Sequence, residues 1–127
     1  MAAAPLVYFD LPAADPQVLA DFYSAVFDWD VKAGPWPGVA LITPFPVLSP
    51  MGGTIRKEQP GSGSPPSMVY VGVPDVTAAL EAIVAAGGAV HAPRFEVPGT
   101  VILGLFNDPA GNAMGLVEME GDKPKIP

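Results

Sequence analysis

Hydrophobic and polar positions form two similar stretches along the chain, and the first predicts a strand followed by a helix. Leu6–Leu11 is apolar and β-prone, so it predicts a strand that ends at Pro12. Asp15 can accept hydrogen bonds from the free amides of a helix start, and Pro16 suits the first helical position. This helix should end near Phe27 or Asp28. Its apolar residues recur at helical spacing: Leu19, Phe22, Ala25 and Val26.

The second stretch repeats this order about 60 residues later. Met68–Val73 predicts a strand, Asp75 can cap the following helix, and Gly87-Gly88 should end it. The two strand starts are also alike as text, since VYFDLP in the first stretch matches VYVGVP in the second. We interpret this similarity as an internal duplication.

Shorter strand candidates, separated by turn residues, follow each predicted helix. Asp108-Pro109, with Gly111 two residues after the proline, predicts a type I turn that closes a hairpin. The strand candidates are Val39–Thr43, Pro46–Leu48 and Gly52–Arg56 in the first half, and Ala89–His91, Thr100–Phe106 and Ala113–Glu118 in the second.

Each half therefore has the order strand–helix–strand–strand–strand, which predicts an α+β fold of paired βαβββ modules within one domain. Module one covers about residues 5–57, a flexible linker covers 57–67, and module two covers about 68–120. The tail, 121–127, has no pattern and is either disordered or in contact with a partner chain. Two such modules can form a curved mixed sheet around a cavity, and a ligand would sit in that cavity.

Composition excludes several classes of function. The 127 residues carry a net charge of −7 with only six Lys and Arg, so nucleic-acid binding is not expected. The chain has no cysteine, which excludes disulfides and thiolate metal sites and is compatible with a reducing cytoplasm, the predicted location. There is no signal-peptide pattern and no apolar run of the roughly 18 residues that a membrane span requires, so no membrane association is expected.

Three motifs in order resemble the vicinal oxygen chelate superfamily, which includes glyoxalases, bleomycin resistance proteins and extradiol dioxygenases. The first joins Asp15 to Phe22-Tyr23 and Val26–Trp29, the second is Val69–Ala79, and the third is the hairpin Asn107–Leu116. The chain is also similar to small bacterial proteins related to lactoylglutathione lyase. The resemblance implies paired βαβββ modules, a homodimer, and a cavity inside each curved sheet.

Members of that superfamily that use a metal carry His, Glu or Gln at four strand positions. The resemblance puts these positions at Tyr8 (or Leu6), on the strand around Gly52–Ile55, at Met68 (or Val69) and at Gly115. None of them holds a His or an acid in this sequence, and the single histidine, His91, lies elsewhere. A catalytic zinc or iron site normally takes three such ligands. We therefore predict no metal and no other cofactor.

Several side chains are candidates for binding a ligand, and each has a structural alternative. Tyr8 and Tyr70 either direct hydroxyls at a ligand or are half-buried strand tyrosines. Asp10 either holds a cationic group or acts as a base, or it is a solvated carboxylate at a strand end. His91 is a general base or a surface residue, and Trp36 is a lid or packs its own loop. The full set expected to line the cavity is Tyr8, Asp10, Trp36, Met68, Tyr70, His91 and Phe106.

These observations lead to three hypotheses about function. The first is a metal-independent protein that binds a small molecule in the sheet cavity, for example to sequester a drug or a toxic metabolite. The second is a lyase, isomerase or dioxygenase-type enzyme with a non-standard site that uses Tyr8, Asp10 or His91. The third is a structural or regulatory dimer without a ligand. The expected partners are a small-molecule ligand and a second copy of the chain.

Overall fold

A computed structural model describes residues 3–44, 51–58 and 66–127, and its contacts divide the chain into two compact units. The first unit is Tyr8–Met68, and the second joins Met1–Val7 to Val69–Pro127. The elements are β1 (Leu6–Ala13), α1 (Pro16–Phe27), β2 (Val31–Ala33), β3 (Val39–Ile42), β4 (Gly52–Lys57), β5 (Met68–Val73), α2 (Val76–Ala85), β6 (Ala89–Val97), β7 (Val101–Asn107), β8 (Ala113–Glu120) and β9 (Lys123–Pro124).

The predicted α+β class is confirmed, because each unit combines one helix with a mixed sheet. The strand order in the first unit is β2-β3-β4-β1, with β1 and β4 parallel and the other pairs antiparallel. In the second unit the order is β5-β8-β7-β6, with β5 and β8 parallel and β9 alongside β8. The repetition of a parallel pair in each unit matches the duplication seen in the sequence.

In the first unit, α1 packs on one face of the sheet. The core beneath it is formed by the buried Ala20, Ile42 and Ile55, and Phe9 and Leu11 pack against this core from β1. Because side chains alternate between the two faces of a strand, Tyr8 and Asp10 lie on the face that α1 does not cover. Aromatic rings close one end of the core: Tyr23 and Trp29 stack with centroids 4.6 Å apart.

The second unit is built in the same way around α2. The buried Val76, Leu80 and Leu116 form its core. Gly104 on β7 is required for this packing, because a β-carbon at that position would lie 2.6 Å from Cγ1 of Val76. The absence of a side chain at residue 104 therefore lets the helix approach the sheet closely.

Both helix starts are as the sequence predicts. The carboxylate of Asp15 accepts a hydrogen bond from the Gln17 amide at 3.1 Å, and that of Asp75 accepts one from the Ala78 amide at 3.0 Å. The predicted hairpin turn is also present, since the Gly111 amide donates to the carbonyl of Asp108 at 2.9 Å. Neither α1 nor α2 is long and apolar enough to span a bilayer.

Three strands differ most from the sequence prediction. β2 was not predicted, because its three residues are too few to show an alternating pattern. β6 runs to Val97 rather than ending at His91, since an edge strand tolerates Pro93 and the register with β7 shifts between Val90 and Ala92 and again across Pro93. The tail contributes β9, which pairs with β8. The strand candidate Pro46–Leu48 lies outside the described residues.

Candidate functional site

Four polar side chains lie together on the sheet face of the first unit that α1 does not cover. They come from the parallel neighbours β1 and β4, whose register places Asp10 beside Thr54. The hydroxyls of Tyr8 and Thr54 are hydrogen-bonded to each other. The carboxylate of Asp10 forms an ion pair with Arg56, whose Nε donates to Oδ2 at 2.5 Å. We call Tyr8, Asp10, Thr54 and Arg56 the polar cluster.

Asp10 has one buried oxygen that no donor among the described residues reaches. Its side chain is only 6% exposed. Within the described residues, Oδ1 is a buried side-chain atom with no hydrogen-bond partner, whereas Oδ2 is held by Arg56. Burial raises the pKa of Asp10, and the hydrogen bond and charge of Arg56 oppose this shift. An unsatisfied buried acceptor costs about 1–3 kcal/mol, so a donor that reached Oδ1 would bind favourably.

The rest of the polar cluster is half-buried and borders apolar surface. The Arg56 side chain is 20% exposed, and its Nη2 donates to the carbonyl of Pro66 at 3.2 Å. Burial raises the pKa of Tyr8, so its hydroxyl stays neutral at pH 7. Leu41, which is 39% exposed, lies directly opposite Thr54 in the β3–β4 register. An exposed aliphatic side chain therefore borders the hydroxyls and the ion pair of the polar cluster.

The other sequence candidates have surroundings that differ from one to the next. Trp36, 46% exposed in the β2–β3 loop, borders a depression of about 540 Å³ beside the start of α1. Met68 is buried, and Tyr70 is buried against Gly115. His91 is exposed on the edge strand β6. Phe106 packs against the core under α2, which is the helix-facing side of its sheet.

The four positions at which the resemblance would place metal ligands do not fit a metal. The β1–β4 register sets Tyr8 beside Gly52, and the β5–β8 register sets Tyr70 beside Gly115. The Tyr70 ring occupies the space of a side chain at residue 115, because a β-carbon there would lie 2.3 Å from two ring carbons. In the chain as described, no three His, Cys, Asp or Glu side chains are grouped so that they could hold a metal ion.

A second buried carboxylate, Glu118, was not among the sequence candidates. Its Oε1 accepts hydrogen bonds from the Val76 amide at 3.0 Å and from Nε of Arg94 at 3.1 Å, and its Oε2 accepts one from Nη2 of Arg94 at 3.1 Å. The hydrogen bonds from Arg94 are the main reason that the pKa of Glu118 is lowered. Glu118 satisfies a free amide at the start of α2, so it fastens the helix to β8.

The sequence could have indicated part of the polar cluster. Thr54 and Arg56 are two residues apart on a predicted strand, so alternation places them on one face. Arg56 carries no local signal of a partner on another strand. Its contact with Asp10 depends on the register between strands 46 positions apart, which no local pattern encodes.

A family model described as a glyoxalase-like domain matches residues 6–117, which is most of the chain. The chain belongs to this family. The resemblance to the vicinal oxygen chelate superfamily is thereby confirmed, and the motifs at Asp15–Trp29 and Asn107–Leu116 fall within the matched glyoxalase-like domain.

Relatives of this glyoxalase-like domain include proteins that are considerably longer. CFP32 of Mycobacterium bovis and Mycobacterium tuberculosis, which is provisionally named a glyoxylase, is 30% identical over 124 residues, covering 86% of this chain and 43% of CFP32. The anthracycline biosynthesis protein DnrV of Streptomyces peucetius is 28% identical over 123 residues, covering 86% of this chain and 45% of DnrV. The chain thus spans less than half the length of these curated relatives.

A solved structure shares the fold of this glyoxalase-like domain. It is a member of the glyoxalase/bleomycin resistance protein/dioxygenase superfamily from Vibrio splendidus, with a TM-score of 0.62 and 13% sequence identity. The match covers 91% of this chain and 98% of that one. At this identity the likeness concerns the fold, so the function has to be argued from the side chains of this chain.

Proposed function

We propose that this glyoxalase-like domain binds a small organic molecule at the polar cluster without a metal ion. The observation that carries the proposal is the buried Oδ1 of Asp10, which lacks a donor within the described residues. The ligand supplies that donor. Tyr8, Thr54 and Arg56 are only half-buried, so the ligand enters from their side.

The ligand should present a neutral hydroxyl or amide donor rather than a cation. The charge of Asp10 is already balanced by Arg56, whose Nε lies 2.5 Å from Oδ2. A cationic ligand would be attracted by Asp10 but repelled by Arg56. The exposed Leu41 side chain beside Thr54 offers contact to an apolar ring. The similarity to DnrV, which is named for anthracycline biosynthesis, supports a hydroxylated aromatic ligand.

A comparison of two ligands tests this proposal. Quinizarin carries phenolic hydroxyls, and anthraquinone has the same ring system without them. We expect calorimetric titration in the presence of EDTA to give a Kd for quinizarin that is lower by about tenfold or more. A hydrogen bond to a charged acceptor contributes about 1.5–3 kcal/mol, which corresponds to that ratio.

Two variants show whether the donor reaches Asp10. Asp10→Asn should weaken quinizarin binding by about tenfold and leave anthraquinone binding unchanged. Asp30→Asn is the matched control, because Asp30 is 57% exposed in the same unit and is bonded to Thr43 outside the polar cluster. Equal affinities for the two compounds, or an Asp10→Asn variant that binds quinizarin like the parent chain, would contradict the proposal.

Proton transfer is the second candidate function, and the buried Asp10 carboxylate favours it. A raised pKa makes a carboxylate a better base near neutral pH. The provisional naming of CFP32 as a glyoxylase suggests the substrate to try, the hemithioacetal of methylglyoxal and glutathione. If the thioester forms in the presence of EDTA and its formation is lost in Asp10→Asn, the chain is an enzyme. If there is no turnover while quinizarin still binds, only the binding function is supported.

The third hypothesis, a dimer without a ligand, predicts that no compound of this class binds. A homodimer, a cytoplasmic location and the absence of a cofactor stay predictions of the sequence.

A further inference from the structure

A groove on the surface of the second unit lies between α2 and the edge strand β6. Its volume is about 400 Å³, which is within the range of about 300–1,000 Å³ for pockets that hold small organic ligands. The residues that α2 contributes are three and four positions apart, so they share one side of the helix. We call this the α2–β6 groove, and its lining includes Leu80, Glu81 and Val84 from α2 and Val90, Pro93 and Arg94 from β6.

The walls of the α2–β6 groove are apolar and open to solvent. Val84 is 53% exposed on the helix and Val90 is 43% exposed on the strand, whereas the buried Leu80 lies at the base. Pro93 has no amide to donate to a further strand, and the register of β6 with β7 shifts across it. This edge is therefore poorly suited to pairing with another strand, and its apolar side chains are available to a small ligand.

The charges of the α2–β6 groove indicate which kind of ligand fits it. Arg94 is balanced by two carboxylates, since its Nη2 lies 3.1 Å from Oε2 of Glu118 and its Nη1 lies 3.4 Å from Oε2 of Glu96. Glu81 forms no ion pair with any residue in the described ranges 3–44, 51–58 and 66–127. The groove thus combines apolar walls with one uncompensated carboxylate, and the net charge of −7 also attracts cations.

We propose that the α2–β6 groove is a second ligand site, which binds a small organic cation: a primary ammonium group attached to an apolar ring. The ring lies against Val84 and Val90, and the ammonium group pairs with the carboxylate of Glu81. A cation is favoured over an anion because the charge of Arg94 is already balanced, so an anion would meet the repulsion of Glu81 without compensation. The groove belongs to the second unit and the polar cluster to the first, so the two sites use separate groups.

Tryptamine and tryptophol test this proposal, because they share a ring and a side-chain length and differ in an ammonium group against a hydroxyl. In an NMR titration, tryptamine should shift the amide resonances of Glu81, Val84 and Val90. We expect its Kd to be about three- to fivefold lower than that of tryptophol, which is the contribution of an exposed ion pair. Equal Kd values, or shifts at Tyr8 and Asp10 in place of the groove amides, would overturn the proposal.

Two variants that each remove one negative charge locate the ammonium group. Glu81→Gln should raise the Kd of tryptamine to that of tryptophol and leave tryptophol binding unchanged. Glu120→Gln is the matched control, because Glu120 is an exposed glutamate of the same unit that lies opposite Lys123, outside the groove. If Glu81→Gln keeps the preference for tryptamine, or if Glu120→Gln loses it to the same extent, the ammonium group does not pair with Glu81 and the assignment is wrong.

Discussion

Filling the space at Gly115 should destabilise the protein through a clash with the Tyr70 ring. Gly115 lies directly beside Tyr70 in the β5–β8 register, and Tyr70 is 8% exposed. The β-carbon of Gly115→Ala would lie 2.3 Å from Cδ2 and Cε2 and 3.0 Å from Cγ of that ring. Real contacts of this kind are longer by more than 1 Å, so the ring has to move. Overpacking of a buried site costs about 1–3 kcal/mol.

A double-mutant cycle isolates this contact. In a Tyr70→Ala background the ring is gone, and Gly115→Ala should be neutral or stabilise by up to about 1 kcal/mol, because alanine restricts the unfolded chain. The coupling free energy between the two positions should therefore reach about 2 kcal/mol. Urea denaturation followed by circular dichroism measures all four free energies of unfolding. If Gly115→Ala lowers the free energy of unfolding by the same amount in the parent and Tyr70→Ala backgrounds, the Tyr70 ring is not the cause and the reasoning is refuted.

Three further outcomes follow from the polar contacts of the helices. Glu118→Ala should lower the free energy of unfolding by about 2 kcal/mol in urea denaturation, because the buried amide of Val76 loses its acceptor. The pKa of Glu118 is lower in the folded state, so its contribution is present above the unfolded pKa of about 4.3 and lost as pH falls below it. Glu118→Gln should flatten that acid-side loss of stability, and an unchanged pH profile would contradict the assignment. Asp15→Ala should lower the free energy of unfolding by about 1 kcal/mol, because the Gln17 amide loses its capping acceptor. A melting temperature equal to that of the parent chain would show that the cap contributes nothing.

The sequence predicts the helices better than the sheets, because caps and helical spacing are local signals. Asp15 and Asp75 mark both helix starts, and each accepts the hydrogen bond expected of it. β2 has no such signal, since three residues cannot show a period. Pro93 made β6 look shorter than it is, because the sequence does not reveal which strand forms the edge of a sheet.

The candidate site was predicted only in part for the same reason. Alternation along β1 correctly places Tyr8 and Asp10 on one face, away from the core that contains Phe9. The partners Thr54 and Arg56 depend on the pairing of β1 with β4, which is fixed by tertiary structure. Glu118 was overlooked because a charged residue in an apolar strand gives no indication of the donors that will surround it.

The hydrogen bonds of the two buried carboxylates explain why Asp10 is a candidate site and Glu118 is structural. Both oxygens of Glu118 accept hydrogen bonds from Arg94, and Oε1 also accepts one from the Val76 amide, so nothing is left for a ligand to satisfy. Within the part of the chain that the structure describes, Asp10 has a donor at Oδ2 alone, and burial rather than pairing dominates its pKa. This difference in hydrogen bonding, rather than any metal site, sets the polar cluster apart.

The most direct test of metal-independent binding follows the Asp10 carboxyl carbon by NMR during a titration with quinizarin in EDTA. A ligand hydroxyl that donates to Oδ1 stabilises the ionised form, so the resonance should shift and the pKa of Asp10 should fall upon saturation. If quinizarin binds while the resonance and the pKa of Asp10 stay where they are in the free protein, or if binding disappears in EDTA, the account is contradicted.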